Sequence, residues 1–310
     1  MPKFPRTARI SIVIPLQRDE ALFEETLLSV LENQPDDCQV VGVHNGTYSD
    51  PFDLGDEVEL VTARSSNLID LVRDATDATI APIVHVLGTG MKVNKDWMAK
   101  ALEQFEELKV AAVTPALTGQ GSGDLRTGWS DFGGRYCNPC AIAPGESKRR
   151  GNASGAIQGF FLNAFFVRRR LLVSLLDAVA PAMNDPVAVS YAFGCLLKRA
   201  GWNVLVEKEC QIDSQNALGL DDDSDFARGQ CLAAIRSRVL PTEPTEGFSS
   251  MIQSAVLGAG SLGEMIGMLR HRGNMAVMRR AIDLKSVSTV EQLACLIQAP
   301  AIEPSRRRAA

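Results

Sequence analysis

Between Leu87 and Lys95 the chain has no carboxylate, although the segment Gly88-Thr89-Gly90-Met91-Lys92-Val93-Asn94 follows a short apolar run, Ile83 to Leu87. A hard divalent cation looks for oxygen ligands, so this loop offers it little. An excess of positive charge is lacking too: the formal net charge is −5, which argues against a broad footprint on nucleic acid. Basic residues cluster only at Lys148 to Arg150, Arg168 to Arg170 and Arg306 to Arg308, and read as solvated faces or a tail. No apolar run reaches the ~20 residues of a spanning helix, because Arg168 to Arg170 separate the two most apolar windows. Met1 to Arg9 does not resemble a secretory signal, and the seven cysteines are odd in number and scattered. Together these features lead us to expect a cytoplasmic protein with free thiols and no transmembrane segment.

What is present is an ordinary globular composition, 45% hydrophobic and 22% charged over 310 residues, enough for a large core. Ile10 to Pro15 is a β-branched run closed by proline, expected as a strand buried on both faces. After Asp19, a helix cap, the spacing of Leu22, Phe23, Thr26, Leu27, Val30 and Leu31 predicts an amphipathic helix. Cys38 to Val43 is a second strand ending in the turn His44-Asn45-Gly46-Thr47, and Val58 to Thr62 a third. A helix over Asn67 to Thr76 leads to the strand Ile80 to Leu87, and Val110 to Val113 forms a further strand ending at Thr114-Pro115. Such alternation implies a mostly parallel sheet with helices on both faces.

From Ala116 to Ser154 the pattern dissolves into small and polar residues with Trp129, Phe132 and Tyr136 interspersed, which we read as a long loop forming a lid or cleft wall. Ala156 to Val167 reads as a strand, Arg170 to Val179 as a helix, and Asp185-Pro186 as the start of a helix that Gly201 ends. Trp202 to Val206 is a late strand. An acidic loop, Asp221 to Asp223, precedes expected helices over Phe226 to Arg238, Phe248 to Leu257, Leu262 to His271, Met275 to Leu284 and Val290 to Ile297.

In this order the motifs resemble the family 2-like glycosyltransferases of the GT-A fold, over Ile10 to Val206. Ile10 to Pro15 with the helix Leu22 to Leu31 looks like that family's opening strand and helix, and Val43 to Thr47 is similar to its second-strand turn. Val84 to Gly90 followed by Asp96-Trp97 falls where the family has its DxD motif and a downstream aspartate–tryptophan pair. Gly159-Phe160-Phe161 through Arg169, and Leu196 to Trp202, resemble its later elements. The resemblance implies a GT-A-like, Rossmann-like domain over residues 1–215 and a helical C-terminal region over 216–310. It also implies transfer of a sugar from a nucleotide-sugar to an unknown acceptor. Donor contacts would come from Pro15, Gln17, His44, Asn45, Gly88, Thr89, Gly90 and Lys92.

The departures fall on the chemistry. Gly88 and Gly90 stand where the family's two metal-binding acids belong, so a Mn²⁺ or Mg²⁺ cofactor is doubtful and no metal ligand is assigned. His44 replaces a nucleotide-contacting aspartate. Counting back from Gly201, the family's glutamate–aspartate pair falls on Val189-Ser190, neither of which takes a proton near neutral pH. Asp185 stands in the same context, before a proline at a helix start; it is either an N-cap or the general base. Gly88 to Gly90 is either a plain turn or a backbone nest for phosphate with Lys92 beside it. Arg168 to Arg170 are expected near the cleft rim, and Arg149-Arg150 could close over a diphosphate. Cys137-Asn138-Pro139-Cys140 reads as an unligated pair, with metal and redox roles as alternatives. His85 reads as a core residue. Loss of both acidic stations keeps a second function open, a catalytically inactive homologue acting as a binding or assembly module.

Overall fold

The computed structural model describes residues 8–119, 125–132, 136–142, 159–179, 183–215 and 225–239, and a few positions between 263 and 290. At 125, 130–132, 136–142, 225, 236 and 237 only the backbone is described. The Cys137 and Cys140 side chains, Arg149-Arg150, Asp221 to Asp223, Arg306 to Arg308 and most of the four helices expected after Phe248 lie outside the described residues.

β1 (Ile10–Pro15), β2 (Cys38–His44), β3 (Val58–Thr62) and β4 (Ile83–Leu87) form the parallel half of the sheet. β1, β2 and β4 are buried throughout, as continuous apolar runs require when helices cover both faces. α1 (Glu20–Asn33) connects β1 to β2; its cap is Asp19, whose carboxylate accepts from Leu22 N at 3.0 Å. α2 (Leu68–Ala78) leads into β4 and is capped by Asn67, which accepts from Ile69 N at 2.9 Å. Each cap contributes about 1 kcal/mol.

The other half is mixed. β5 (Met91–Lys92) is followed by α3 (Ala99–Glu103) with one turn of 3₁₀ helix, and then by β6 (Val110–Gly119) and β7 (Leu125–Arg126). β8 (Gly128–Phe132) and β9 (Tyr136–Ile142) form a separate antiparallel hairpin. β10 (Ala164–Arg168), α4 (Arg169–Ala178), α5 (Pro186–Arg199), β11 (Asn203–Ser214) and α6 (Asp225–Val239) complete the described elements. The strand order is β3-β2-β1-β4-β10-β6-β11-β5, with β7 on β6. β10 runs antiparallel to both neighbours, so β3, β2, β1, β4, β6 and β11 all point the same way and end on one edge. Ligands bind at such an edge in open α/β sheets.

Three expectations are corrected. The expected strand stop at Thr114-Pro115 fails because β6 runs on to Gly119; Pro115 falls where the β11 ladder is interrupted between Glu207 and Gln211, a place that needs no proline N–H. The expected long loop after Ala116 holds β7, β8 and β9, and Trp129 exchanges backbone bonds with Gly159 at 2.7 and 3.2 Å, a partner too far along the chain for local pattern to show. The expected strand Ala156 to Val167 is broken by a turn, with Ala164 N bonded to Phe161 O, and regular pairing starts at Ala164.

The opposite, N-terminal edge is held by buried polar bonds. Ser11 Oγ donates to Gln39 Oε1 at 2.6 Å, and Gln39 Nε2 donates to Glu59 at 2.7 Å and to Ala78 O at 3.1 Å. Arg168 and Arg169 also work here, because β10 pairs Arg168 with Ile83 at the start of β4. Arg168 donates to the carbonyls of Val110, Phe105 and Glu107 at 2.7–2.9 Å, and Arg169 to Thr79 Oγ1 at 2.9 Å and Thr76 O at the C-terminus of α2. The expected cleft-rim position for this cluster is therefore wrong, since an antiparallel β10 carries it away from Gly88.

α6 lies against α5 with Cys231, Leu232 and Ile235 buried, and Trp202 Nε1 donates to Ser288 O at 2.8 Å.

His85 is a core residue, fully buried in β4 and stacked on Phe166 at 3.7 Å between ring centroids. Its Nδ1 lies 3.1 Å from Phe165 O and must carry the proton, so Nε2 accepts from Trp97 Nε1 at 3.4 Å. Burial lowers its pKa from 6.5 to about 4. A depressed histidine pKa adds stability above 6.5 that is lost as pH falls towards 4, by up to about 3 kcal/mol. Urea unfolding across this pH range is expected to show that loss in the unaltered protein and a flatter curve for His85→Gln.

Candidate functional site

The ends of β1, β2 and β4 are tied to one another. Leu16 N donates to Val43 O at 2.8 Å, and the Thr89 hydroxyl donates to Pro15 O at 2.6 Å. Gln17, half-buried, follows directly. His44 closes β2: its carbonyl accepts from Ala63 N, and its Nδ1 accepts from Gly46 N at 3.1 Å. That bond assigns the proton of the neutral ring to Nε2, and burial lowers its pKa, favouring the neutral form. His44 thus presents a donor where an aspartate would present an acceptor. Asn45 is exposed and holds its own turn, accepting from the Thr47 hydroxyl at 2.8 Å, with Gly46 at φ 92°. Tyr48 packs edge-on against His44, and its buried hydroxyl has no hydrogen-bond partner. Burial, then the acidic neighbours Glu24, Asp50 and Glu20, push its pKa up to about 12.

The Gly88 to Gly90 loop is closed on itself. Gly88 N donates to Asn163 O at 2.7 Å, and a Cβ on Gly88 would lie 2.9 Å from Asn163 Cβ and 3.2 Å from its carbonyl oxygen. Gly90 has φ 82°, a left-handed conformation costing other residues roughly 1–2 kcal/mol. Its N–H donates to Thr26 Oγ1 at 2.9 Å, and its carbonyl accepts from Gln215 N at 2.9 Å. Two amide donors that a phosphate nest would use are therefore engaged within the fold, which favours the plain turn over the nest. Lys92 points towards α1, where it pairs with Glu25 at 3.0 Å, and the Lys92 hydrogen bond holds the Glu25 carboxyl below its usual range. Both side chains are about half exposed, so the pair contributes little to stability.

Neither glycine supplies an oxygen side chain, and Asn163 fills the space where one would start at Gly88. Among the described residues no group of three His, Cys, Asp or Glu side chains is arranged to hold a metal ion. The residues at this station do not fit Mn²⁺ or Mg²⁺.

Asp185 caps α5, with Oδ1 accepting from Ala188 N at 2.7 Å. Its other oxygen accepts from Arg228 Nε on α6 at 3.0 Å, and the Asp185 side chain is 1% exposed against 12% for Arg228. Asn67 Nδ2 donates to Asn184 O at 3.0 Å, which joins the N-termini of α2 and α5 on the edge where the parallel strands end. A small polar cavity of about 220 Å³ lies between them, lined by Ser65, Asn67, Asp70, Arg73 and Asn184 among others. Asn67, Asn163 and Arg228 escaped the sequence. Asn67 had a legible signal, an asparagine before a periodic helix; the other two meet the site only through tertiary packing.

Scanned against protein-family models and curated proteins, the chain finds no match. Solved structures do resemble it. One is that of GalNAc-T7 with UDP, GalNAc and Mn²⁺, at a TM-score of 0.60 and 13% identity over 96% of this chain and 59% of that one. The chain thus spans about three-fifths of that structure. Another is the mannosyltransferase PcManGT from Pyrobaculum calidifontis in complex with GDP-Man and Mn²⁺, at a TM-score of 0.52 and 14% identity over 91% of this chain and 86% of that one. The likeness shows that this chain has the GT-A fold.

An acid placed at Gly88 is expected to damage the fold rather than create a cation site. Gly88→Asp should lower stability by about 1–3 kcal/mol through overpacking against Asn163. Thermal unfolding with and without Mn²⁺ checks this; an unchanged midpoint that rises with Mn²⁺ contradicts it.

Proposed function

We propose that the protein is a glycosyltransferase-like protein related to the family 2 enzymes. It binds a nucleotide-sugar where β1, β2 and β4 end and transfers the sugar without a DxD-bound cation. The observation that carries this reading is the convergence of those three strand ends and the N-termini of α2 and α5 on one edge, held by the Thr89–Pro15 and Asn67–Asn184 bonds. Strand ends and helix N-termini together suit an anionic, nucleotide-bearing ligand. Pro15, Gln17, His44, Asn45 and Thr89 are the proposed donor contacts. The backbone around Gly88 and Gly90 shapes the floor, and Lys92 contributes charge at the margin.

In the transfer itself, an acceptor hydroxyl loses its proton to a base and its oxygen bonds to the anomeric carbon. The bond from that carbon to the diphosphate breaks, and the diphosphate leaves with the electron pair. Asp185 is the proposed base, the group a bound acceptor would have to meet. Among the described residues the buried thiols of Cys38, Cys195, Cys210 and Cys231 form no disulfide, which supports the proposal of a reducing, cytoplasmic setting.

A specific observation favours the second reading, an inactive homologue that binds a ligand or partner. Asp185 is 1% exposed and both its oxygens are engaged, so a hydroxyl cannot come within the ~3 Å that proton transfer needs unless a neighbour moves. Both readings share the donor site. Titration calorimetry with UDP and GDP is expected to show binding of at least one, with an affinity that Mn²⁺ changes by less than about twofold, under 0.5 kcal/mol. If no nucleotide binds, the donor site is lost and with it the transferase. Binding without any sugar hydrolysis or transfer selects the inactive homologue.

A further inference from the structure

A reaction that expels a diphosphate needs positive charge beside it, and among the described residues no group of side chains is arranged to hold a metal. Among the described residues several basic side chains are held by the fold: Arg64 pairs with Asp74, and Arg73 with the Leu176 carbonyl and Asp177. Arg168 and Arg169 clamp carbonyls on the far edge of the sheet, and Lys92 is turned to Glu25. Arg228 is different: it lies on the first turn of α6, nearly buried, with its Nε on the one carboxylate proposed as base. The helix behind it is packed through Cys231, Leu232 and Ile235, so α6 does not depend on the Asp185 pair alone to stay in place. The Asn67–Asn184 bond keeps Asp185, and therefore Arg228, on the ligand edge.

Resting on the donor site proposed above, the geometry points to Arg228 as the residue that takes the place of the cation, moving from the Asp185 carboxylate to the diphosphate of the bound donor. A guanidinium matches phosphate oxygens as well as it matches a carboxylate, and a doubly charged diphosphate competes for it effectively. No covalent bond changes in this step; one ion pair replaces another. Its consequence is coupling. While the donor is absent, Arg228 covers Asp185 Oδ2 and the base cannot work. When the diphosphate draws Arg228 away, the leaving group gains its counter-charge and Asp185 is uncovered for the acceptor hydroxyl. The same ion pair that makes Asp185 look inert is, on this account, what ties its activity to donor binding.

The distinguishing readout is the preference for a nucleoside diphosphate over the monophosphate, which a purely structural ion pair does not move. Calorimetry compares UDP with UMP and GDP with GMP. Asp185→Asn keeps a side-chain oxygen to cap Ala188 and removes the competing charge, so the diphosphate should bind about tenfold tighter, the equivalent of one charge-assisted bond, with the monophosphate unchanged. Arg228→Gln should lose about tenfold in diphosphate affinity and fall to the monophosphate level, and Arg228→Lys should keep part of the preference. Should Arg228→Gln fail to fold with Asp185 left unpaired, Asp185→Asn and Arg228→Lys carry the test. A diphosphate affinity unaltered in Asp185→Asn, or a full preference surviving in Arg228→Gln, overturns the role. Absence of binding by any nucleotide to the unaltered protein is a separate result that removes the donor site itself and this role with it.

Discussion

Gly88 and Asn163 meet at a distance that admits no side chain. The amide of Gly88 bonds to the Asn163 carbonyl at 2.7 Å, and the place of a Cβ is already taken. This contact continues the antiparallel pairing of β10 on β4 by one residue, with Ala164 opposite Leu87, and so sets where the strand β4 ends and the loop begins. With the loop drawn against β10, Thr89 reaches the end of β1, and Gly90 turns through a left-handed conformation to meet Thr26 and Gln215. The Gly88–Asn163 contact excludes a side chain at position 88, and the left-handed backbone of Gly90 disfavours one at position 90. The absence of a side chain at position 88 is thus built into the packing.

On the N-terminal side of the sheet, arginines and a buried Ser11–Gln39–Glu59 relay satisfy carbonyls and amides that would otherwise cost about 1–3 kcal/mol each. These groups are committed to the fold. On the other edge the Tyr48 hydroxyl is buried with no hydrogen-bond partner among the described residues, and the Asp185–Arg228 pair is shared between α5 and α6. A buried pair of this kind is weak support for stability but a strong constraint on geometry. Function is more economically sought there.

Local pattern in the sequence carried the parallel half of the fold. The run Ile10 to Pro15, the cap Asp19, the spacing along α1 and the Asp185-Pro186 helix start each state their element in a few neighbouring residues, and each is observed. The mixed half was not legible in the same way. Whether Ala164 to Arg168 pairs parallel or antiparallel depends on residues far along the chain, and that orientation alone decides whether Arg168 faces the ligand or the opposite edge. The partner of Trp129 and the arginine on Asp185 are likewise tertiary facts. In the candidate site, the glycines at 88 and 90 could be seen as missing acids. That they are also steric and conformational necessities required Asn163 and the backbone itself.

Any chemistry at this edge is expected to proceed on the charge of protein side chains. Turnover of a nucleotide-sugar that the protein binds, followed as release of the nucleoside diphosphate, should be the same within about twofold in an excess of chelator and in added Mn²⁺, a barrier difference under 0.5 kcal/mol. Turnover that vanishes in chelator and returns with Mn²⁺ would contradict the account.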